Sequence, residues 1–227
     1  MKQGINTLNE KSLHVQLKQW YEKPGDQFEV PVDRFIIDIV RDDLLIEIQT
    51  RNFSALKKKL NTLLEDHQVH LIYPVEREKW LIKLDSKGKP QGRRKSPKRG
   101  TIEHLFSELV YIPQMIQHEN FSLEVLLIQA EELRKHSNNR GWRRRGWMTE
   151  ERRLLDVVES RVFKTPQDLL DLISDNVESP FTTADLAKTL NRPRRVMQQM
   201  VYCLRALEMI VMVGKQGNAI LYERHQG

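Results

Sequence analysis

The chain reads as an α/β protein: a mixed sheet with flanking helices, then a helical connector, then a small unit of three helices and a β-hairpin. Two observations predict this. Residues 28–49 hold three short apolar runs rich in β-branched residues, bracketed by stretches of helical period. Residues 166–222 show three helical patterns followed by two strands around a glycine-rich turn. At 227 residues the chain can hold one full-sized core or two modest ones.

Taken in order, Leu13, Val15, Leu17 and Trp20 predict a helix over 9–21, stopped by Pro24-Gly25. Phe28–Val32, Phe35–Val40 and Leu44–Gln49 are three strands, the last two forming a hairpin about Arg41-Asp42-Asp43. Phe53, Leu56, Leu60, Leu63 and Leu64 place a helix over 53–64. Val69–Pro74 is the next strand, which a right-handed crossover would return beside 44–49. Trp80–Leu84 adds an edge strand. Residues 86–100, rich in Gly, Pro and Lys/Arg, are a loop or boundary. Thr101–Ile116, Leu123–Leu133 and Thr149–Val158 read as helices of a connector. The expected units are therefore 1–86, 87–164 and 165–227.

Lys and Arg outnumber Asp and Glu by 37 to 31, and the excess is clustered. Between Lys87 and Arg99 there are seven basic residues and no acidic one. Arg140, Arg143, Arg144 and Arg145 form a second knot, flanked by Trp142 and Trp147, an interleaving suited to phosphates and bases. A bland account, tryptophans sealing the connector and arginines wet, stands equally open. The single Cys203 excludes an internal disulfide and a cysteine-rich zinc site. No secretion signal opens the chain and no apolar run is long enough to span a membrane, so the cytoplasm is the expected compartment.

Asp38 sits inside Ile-Ile-Asp-Ile-Val and Glu47 inside Leu-Leu-Ile-Glu-Ile. A carboxylate in such a run costs several kcal/mol, on the order of 10 or more in a dry interior, unless positive charge compensates it. Pairing about the 41–43 corner lets Asp38 face Glu47 across one strand spacing. A hard divalent cation would resolve the conflict, with Asp38, Glu47 and the Ile48 carbonyl as oxygen ligands for Mg²⁺ or Mn²⁺. The alternative is a wet sheet face, with Glu47 paired to Lys57 or Arg51 and Lys57, Lys58 and Lys59 solvated. His14, His67 and His70 share no metal-ligand spacing.

An acid on one strand, then an acid-x-Lys triplet on the next, framed by helix-strand-strand-strand-helix-strand, resembles the PD-(D/E)XK nuclease superfamily over residues 8–75. The fold expected is thus restriction-endonuclease-like. By that resemblance Asp38 and Glu47 would hold Mg²⁺ or Mn²⁺, Glu10 would complete the shell, and Gln49, standing where the family has Lys, would position the nucleophilic water. Loss of that lysine also fits a domain that binds DNA without cutting it.

Residues 165–224 resemble a winged helix. Thr182 or Thr183 caps the helix 183–190, and Pro193 opens the recognition helix, on which Val196, Met200, Cys203, Leu204 and Leu207 form the buried stripe. Arg192, Arg194, Arg195 and Gln198 are left outside for the major groove, with Lys215 at the wing tip. Arg93, Arg94, Lys95, Arg143, Arg144 and Arg145 join them as nucleic-acid contacts. The expectation is a metal-dependent endonuclease acting on duplex or branched DNA. A non-catalytic DNA-binding protein or regulator, and an adaptor that self-associates into a homodimer, are the alternatives.

Overall fold

The computed structural model describes residues 8–136 and 146–225, the side chains of 8–11 excepted. Its elements are α1 (Leu8–Tyr21), β1 (Gln27–Val32), β2 (Phe35–Arg41), β3 (Leu44–Ile48), α2 (Lys57–Leu63, entered through a 3₁₀ turn at Phe53–Leu56), β4 (Gln68–Leu84) and β5 (Pro90–Lys95). After these come α3 (Phe106–Leu109) between 3₁₀ turns at Ile102–Leu105 and Pro113–Gln117, β6 (Phe121–His136), β7 (Trp147–Phe163), α4 (Pro166–Leu170), α5 (Thr183–Thr189), α6 (Arg194–Ala206), β8 (Ile210–Gln216) and β9 (Ala219–Arg224).

Seven strands form one mixed sheet in the order β1-β2-β3-β4-β6-β7, with β5 on the outer half of β4. The expected meander is present: β1, β2 and β3 pair antiparallel, and Asp42 turns the second corner at a φ of 51°. Aspartate tolerates this left-handed conformation because its short polar side chain bonds locally. β4 then lies parallel to β3, Ile46 opposite His70.

The region expected as a helical connector is instead sheet. Leu123–Leu133 and Thr149–Val158 belong to β6 and β7, strands of 16 and 17 residues. β6 lies parallel to β4 and is covered on both faces, Leu123, Val125 and Leu127 in one core and Leu126, Ile128 and Ala130 in the other. A strand buried on both faces loses its alternation and reads like a buried helix. Trp80–Leu84 is likewise no separate edge strand but the outer half of β4, paired on both sides. Residues 90–95 are a strand, not a loop.

One core joins α2, α3 and a sheet face to the carboxyl-terminal helices. Phe106, Leu109, Phe163, Met197, Met200 and Val201 share it, so 165–224 is not the separate body expected. A smaller core lies under α1, where Leu13 and Leu17 meet Ile39, Ile46 and Ile72.

Candidate functional site

β2 and β3 pair as far as Ile39–Ile46 and then part. Ile37 packs in the larger core and Ile39 in the core under α1, so the alternation of β2 slips at Asp38. At this fork the ladder bonds are replaced by carboxylates. Asp38 Oδ2 accepts from the Ile48 N–H at 2.9 Å, and Glu47 accepts from the Asp38 N–H. The two acids are therefore neighbours, as the sequence requires, but each has its own cation. Asp38 lies 3.0 Å from His14 Nε2 and 3.7 Å from Lys18 Nζ, both on α1. Glu47 takes an ion pair from Lys59 on α2, whose ammonium also donates to the Ile36 carbonyl at 2.7 Å.

Glu47 is only 6% exposed, so the wet-face alternative fails. Its partner is Lys59, not Lys57 or Arg51, and Lys59 belongs to no solvated face. Burial pushes the Glu47 carboxyl up to about 6 against the pull of Lys59, and Asp38 beside it adds to the rise. Burial also works against the charge on Asp38, yet His14, the Ile48 N–H and Lys18 hold that carboxyl below its ordinary range. Lys59 and His14 were missed by sequence reasoning because neither position relative to the acids follows from local spacing.

The other expected residues fare unevenly. Gln49 spends its amide N–H on the carbonyls of Arg51 and Asn52, in the turn that leads to α2. Glu10 falls on α1, but its side chain lies outside the described residues, as do Arg143, Arg144 and Arg145. Among the described residues no three His, Cys, Asp or Glu side chains gather as a metal group.

A cleft of about 300 Å³ runs from Leu13 of α1 and Thr50, just past Gln49, along β4 to Lys79, Lys98, Arg99 and Arg152. Gly100 forms part of its wall. Its N–H donates to the Glu76 carbonyl at 2.9 Å, and a Cβ there would stand 2.6 Å from that oxygen, so only glycine fits. Glu76 Oε1 is buried without a hydrogen bond, while Oε2 meets Lys79 at 2.5 Å.

A second polar cluster lies under the last turn of α1. Glu124 accepts from Tyr21 at 2.8 Å and from Ser160, and lies 2.8 Å from His70 Nε2, whose Nδ1 is 2.7 Å from Ser122. Burial opposes its charge, but these partners hold Glu124 at about 2. The signal was available: Glu124 stands in Phe-Ser-Leu-Glu-Val-Leu-Leu-Ile, as costly a setting as that of Asp38.

In the terminal unit Thr182 caps α5, accepting from Ala184 and Asp185 at 3.2 Å. Val196, Met200, Cys203, Leu204 and Leu207 are buried as expected. Arg192 is not outside. It pairs with the buried Glu103 at 2.9 Å and ties this unit to the sheet. Arg194 and Gln198 line a cleft of about 390 Å³ with Arg205 and Asn218, and Arg195 and Lys215 are exposed. Arg93 and Lys95 are engaged with Glu131 and Glu78, each at 2.7 Å, and flank the Trp80 ring.

These features define a mixed-sheet α/β protein with a carboxylate pair at a strand fork, Glu47 buried and Asp38 half-buried, and a cation-lined cleft beside it. The chain belongs to the family described as Domain of unknown function (DUF8091), whose model matches residues 11–164, from α1 through β7. It is also similar to a protein of Treponema pallidum (strain Nichols) described as uncharacterized, 31% identical over 186 residues, covering 82% of this chain and 74% of that one. No solved structure matches. None of the helices formed by the described residues is long and apolar enough to cross a membrane.

Proposed function

We propose that the protein is a DNA endonuclease on the PD-(D/E)XK plan, with 165–224 acting as a winged helix that places it on duplex or branched DNA. The observation that carries this reading is the ammonium of Lys59 against Glu47, at the fork it shares with Asp38. It supplies from α2 the cation that Gln49 cannot. The order of elements and the parallel β3–β4 pair support the same plan.

Asp38 and Glu47 offer adjacent hard oxygens, the donor chemistry Mg²⁺ or Mn²⁺ prefers, with the Ile48 carbonyl as the next oxygen along β3. Such an ion would polarise a phosphoryl oxygen of the substrate. Lys59 would stabilise charge building on the phosphate, while His14 and Lys18 would orient Asp38. Lys98, Arg99 and Arg152 in the adjoining cleft would seat the DNA backbone. Arg194, Arg195, Gln198 and Lys215 would do so at the terminal unit, giving a salt-dependent affinity.

The test is cleavage of plasmid and branched DNA with Mg²⁺ or Mn²⁺. Asp38→Asn and Glu47→Gln should abolish cleavage with DNA binding retained, and Lys59→Met should slow it about 100-fold or more. A parent protein silent on every substrate and metal overturns the enzyme. One observation favours a second reading, DNA binding without cleavage: Lys18 and Lys59 already stand beside the two acids, and Gln49 is tied into a turn.

A further inference from the structure

The outer halves of β4, β6 and β7, with β5, extend past the core as a β-arm. On one face of this arm lies a cleft of about 570 Å³ lined by Lys83, Arg94, Arg134 and Trp147, with Gln91 and Leu81. The registers explain the grouping. Leu81 pairs Arg94 on one side, Lys83 pairs Arg134 on the other, and Trp147 stands opposite His136, two residues further along β6. Residues far apart in sequence, from two basic-aromatic segments, thus line a single cleft.

The charges in it are unequally spent. Arg134 is engaged with Glu132 at 2.8 Å. Glu132, 2% exposed, is also held by Lys79 at 2.9 Å and by Thr149, while Asp85 accepts from Gln91 at 3.2 Å and Glu131 pairs with Arg93. Arg94, exposed, forms no ion pair or side-chain hydrogen bond with a described residue, unlike Arg93 and Lys95 on either side of it. Among the described residues Lys83 meets only the Trp147 ring, 4.8 Å from its ammonium. His136 meets that ring edge-on at 5.4 Å. Two cations that pair with no acid among the described residues, beside a half-buried indole, suit a ligand with a negative charge and a flat π face.

We infer that the β-arm cleft binds a single-stranded stretch of nucleic acid, phosphates on Arg94 and Lys83 and a base stacked on Trp147. The flexible stem of Lys83 lets its ammonium swing from the ring to a phosphate as the base enters. Duplex DNA is excluded from this mode because its base faces are already stacked. Along β4, Lys79 of the cleft beside the carboxylates and Lys83 of this one are four residues apart, so one strand can run through both. The inference deepens the proposed function, since it names DNA with a single-stranded portion as substrate, but the binding itself does not depend on cleavage.

The experiment measures binding of the full chain, in EDTA, to a fluorescent oligo(dT), the matching duplex, and inorganic polyphosphate. Lys83→Ala with Arg94→Ala should weaken oligo(dT) at least tenfold and lower its salt slope by about 1.4, two contacts at about 0.7 each. Trp147→Leu should weaken oligo(dT) by about five- to a hundredfold and leave polyphosphate unchanged, whereas Trp147→Phe should keep most of the affinity. Equal loss of polyphosphate binding in Trp147→Leu, or no loss of oligo(dT) binding in either variant, overturns the inference. Should Trp147→Leu fail to fold, Arg94→Glu on an exposed side chain decides: unchanged oligo(dT) affinity rejects the site. Because no metal is present, failure of the nuclease reading appears only in the cleavage assay.

Discussion

Glu124 illustrates how single residues carry this fold. Its carboxylate is buried, yet three donors hold it at about 2, far below its ordinary value of 4.5. A carboxyl whose folded value is depressed contributes stability that is complete above about 4.5 and lost as pH falls toward about 2. Glu124→Gln should therefore cost about 2–4 kcal/mol at neutral pH, by removing a charge-assisted partner of His70, Tyr21 and Ser160. The deficit should shrink as the pH is lowered from 4.5 to 2, because the parent loses the same interactions. Urea unfolding at pH 7, 4 and 2.5 measures this, and a deficit constant across that range would contradict it.

At the scale of elements, β6 and β7 teach most. β6 carries Leu123 through Ile128, and Ala130, buried toward both faces, and only its pairing with β4 reveals it as a strand. β7 is long and charged, and α1 ties it down through Ser12 on the Arg152 carbonyl and Gln16 accepting from the Leu154 N–H at 2.7 Å. Helix α5 has the opposite character, being short and locally specified. Thr182 and Asp185 form a reciprocal capping box at its start. Thr182→Ala should lower stability by about 1 kcal/mol and leave the proposed DNA affinity within a factor of two, if the cap acts only on the helix. Chemical denaturation and anisotropy titration together separate those effects.

The molecule as a whole is held by a core that ignores the boundary at 164/165. Phe106, Leu109 and Phe163 pack with Leu169, Met197 and Met200, and Arg192 reaches Glu103 across the junction. A chain ending at Lys164 should expose these apolar side chains, bind a hydrophobic dye and aggregate. A soluble fragment with a cooperative unfolding transition would show that the two parts are independent. Arg192→Ala tests the same junction within the intact chain. It leaves the carboxylate of Glu103, 8% exposed, without its cation, so stability should fall by about 3 kcal/mol while the salt slope of the proposed DNA binding stays unchanged. A lowered slope would return Arg192 to the DNA-facing set.

The sequence by itself determined the meander from α1 to β3, the crossover through α2 and the terminal helices and hairpin, because each rests on local period, caps and turn residues. It also determined that Asp38 and Glu47 are special, since an acid inside an apolar run is costly wherever the run is placed. Tertiary structure decided which charges compensate them. Lys18 and Lys59 reach the fork from two helices, and no spacing in the chain encodes how those helices pack. Tertiary structure also turned an expected connector into the last two strands of the sheet, an inner one and the edge, through parallel pairing that joins residues about fifty apart. Finally it brought Arg94 and Trp147 to one cleft, because strand register, not sequence proximity, sets which side chains share a face.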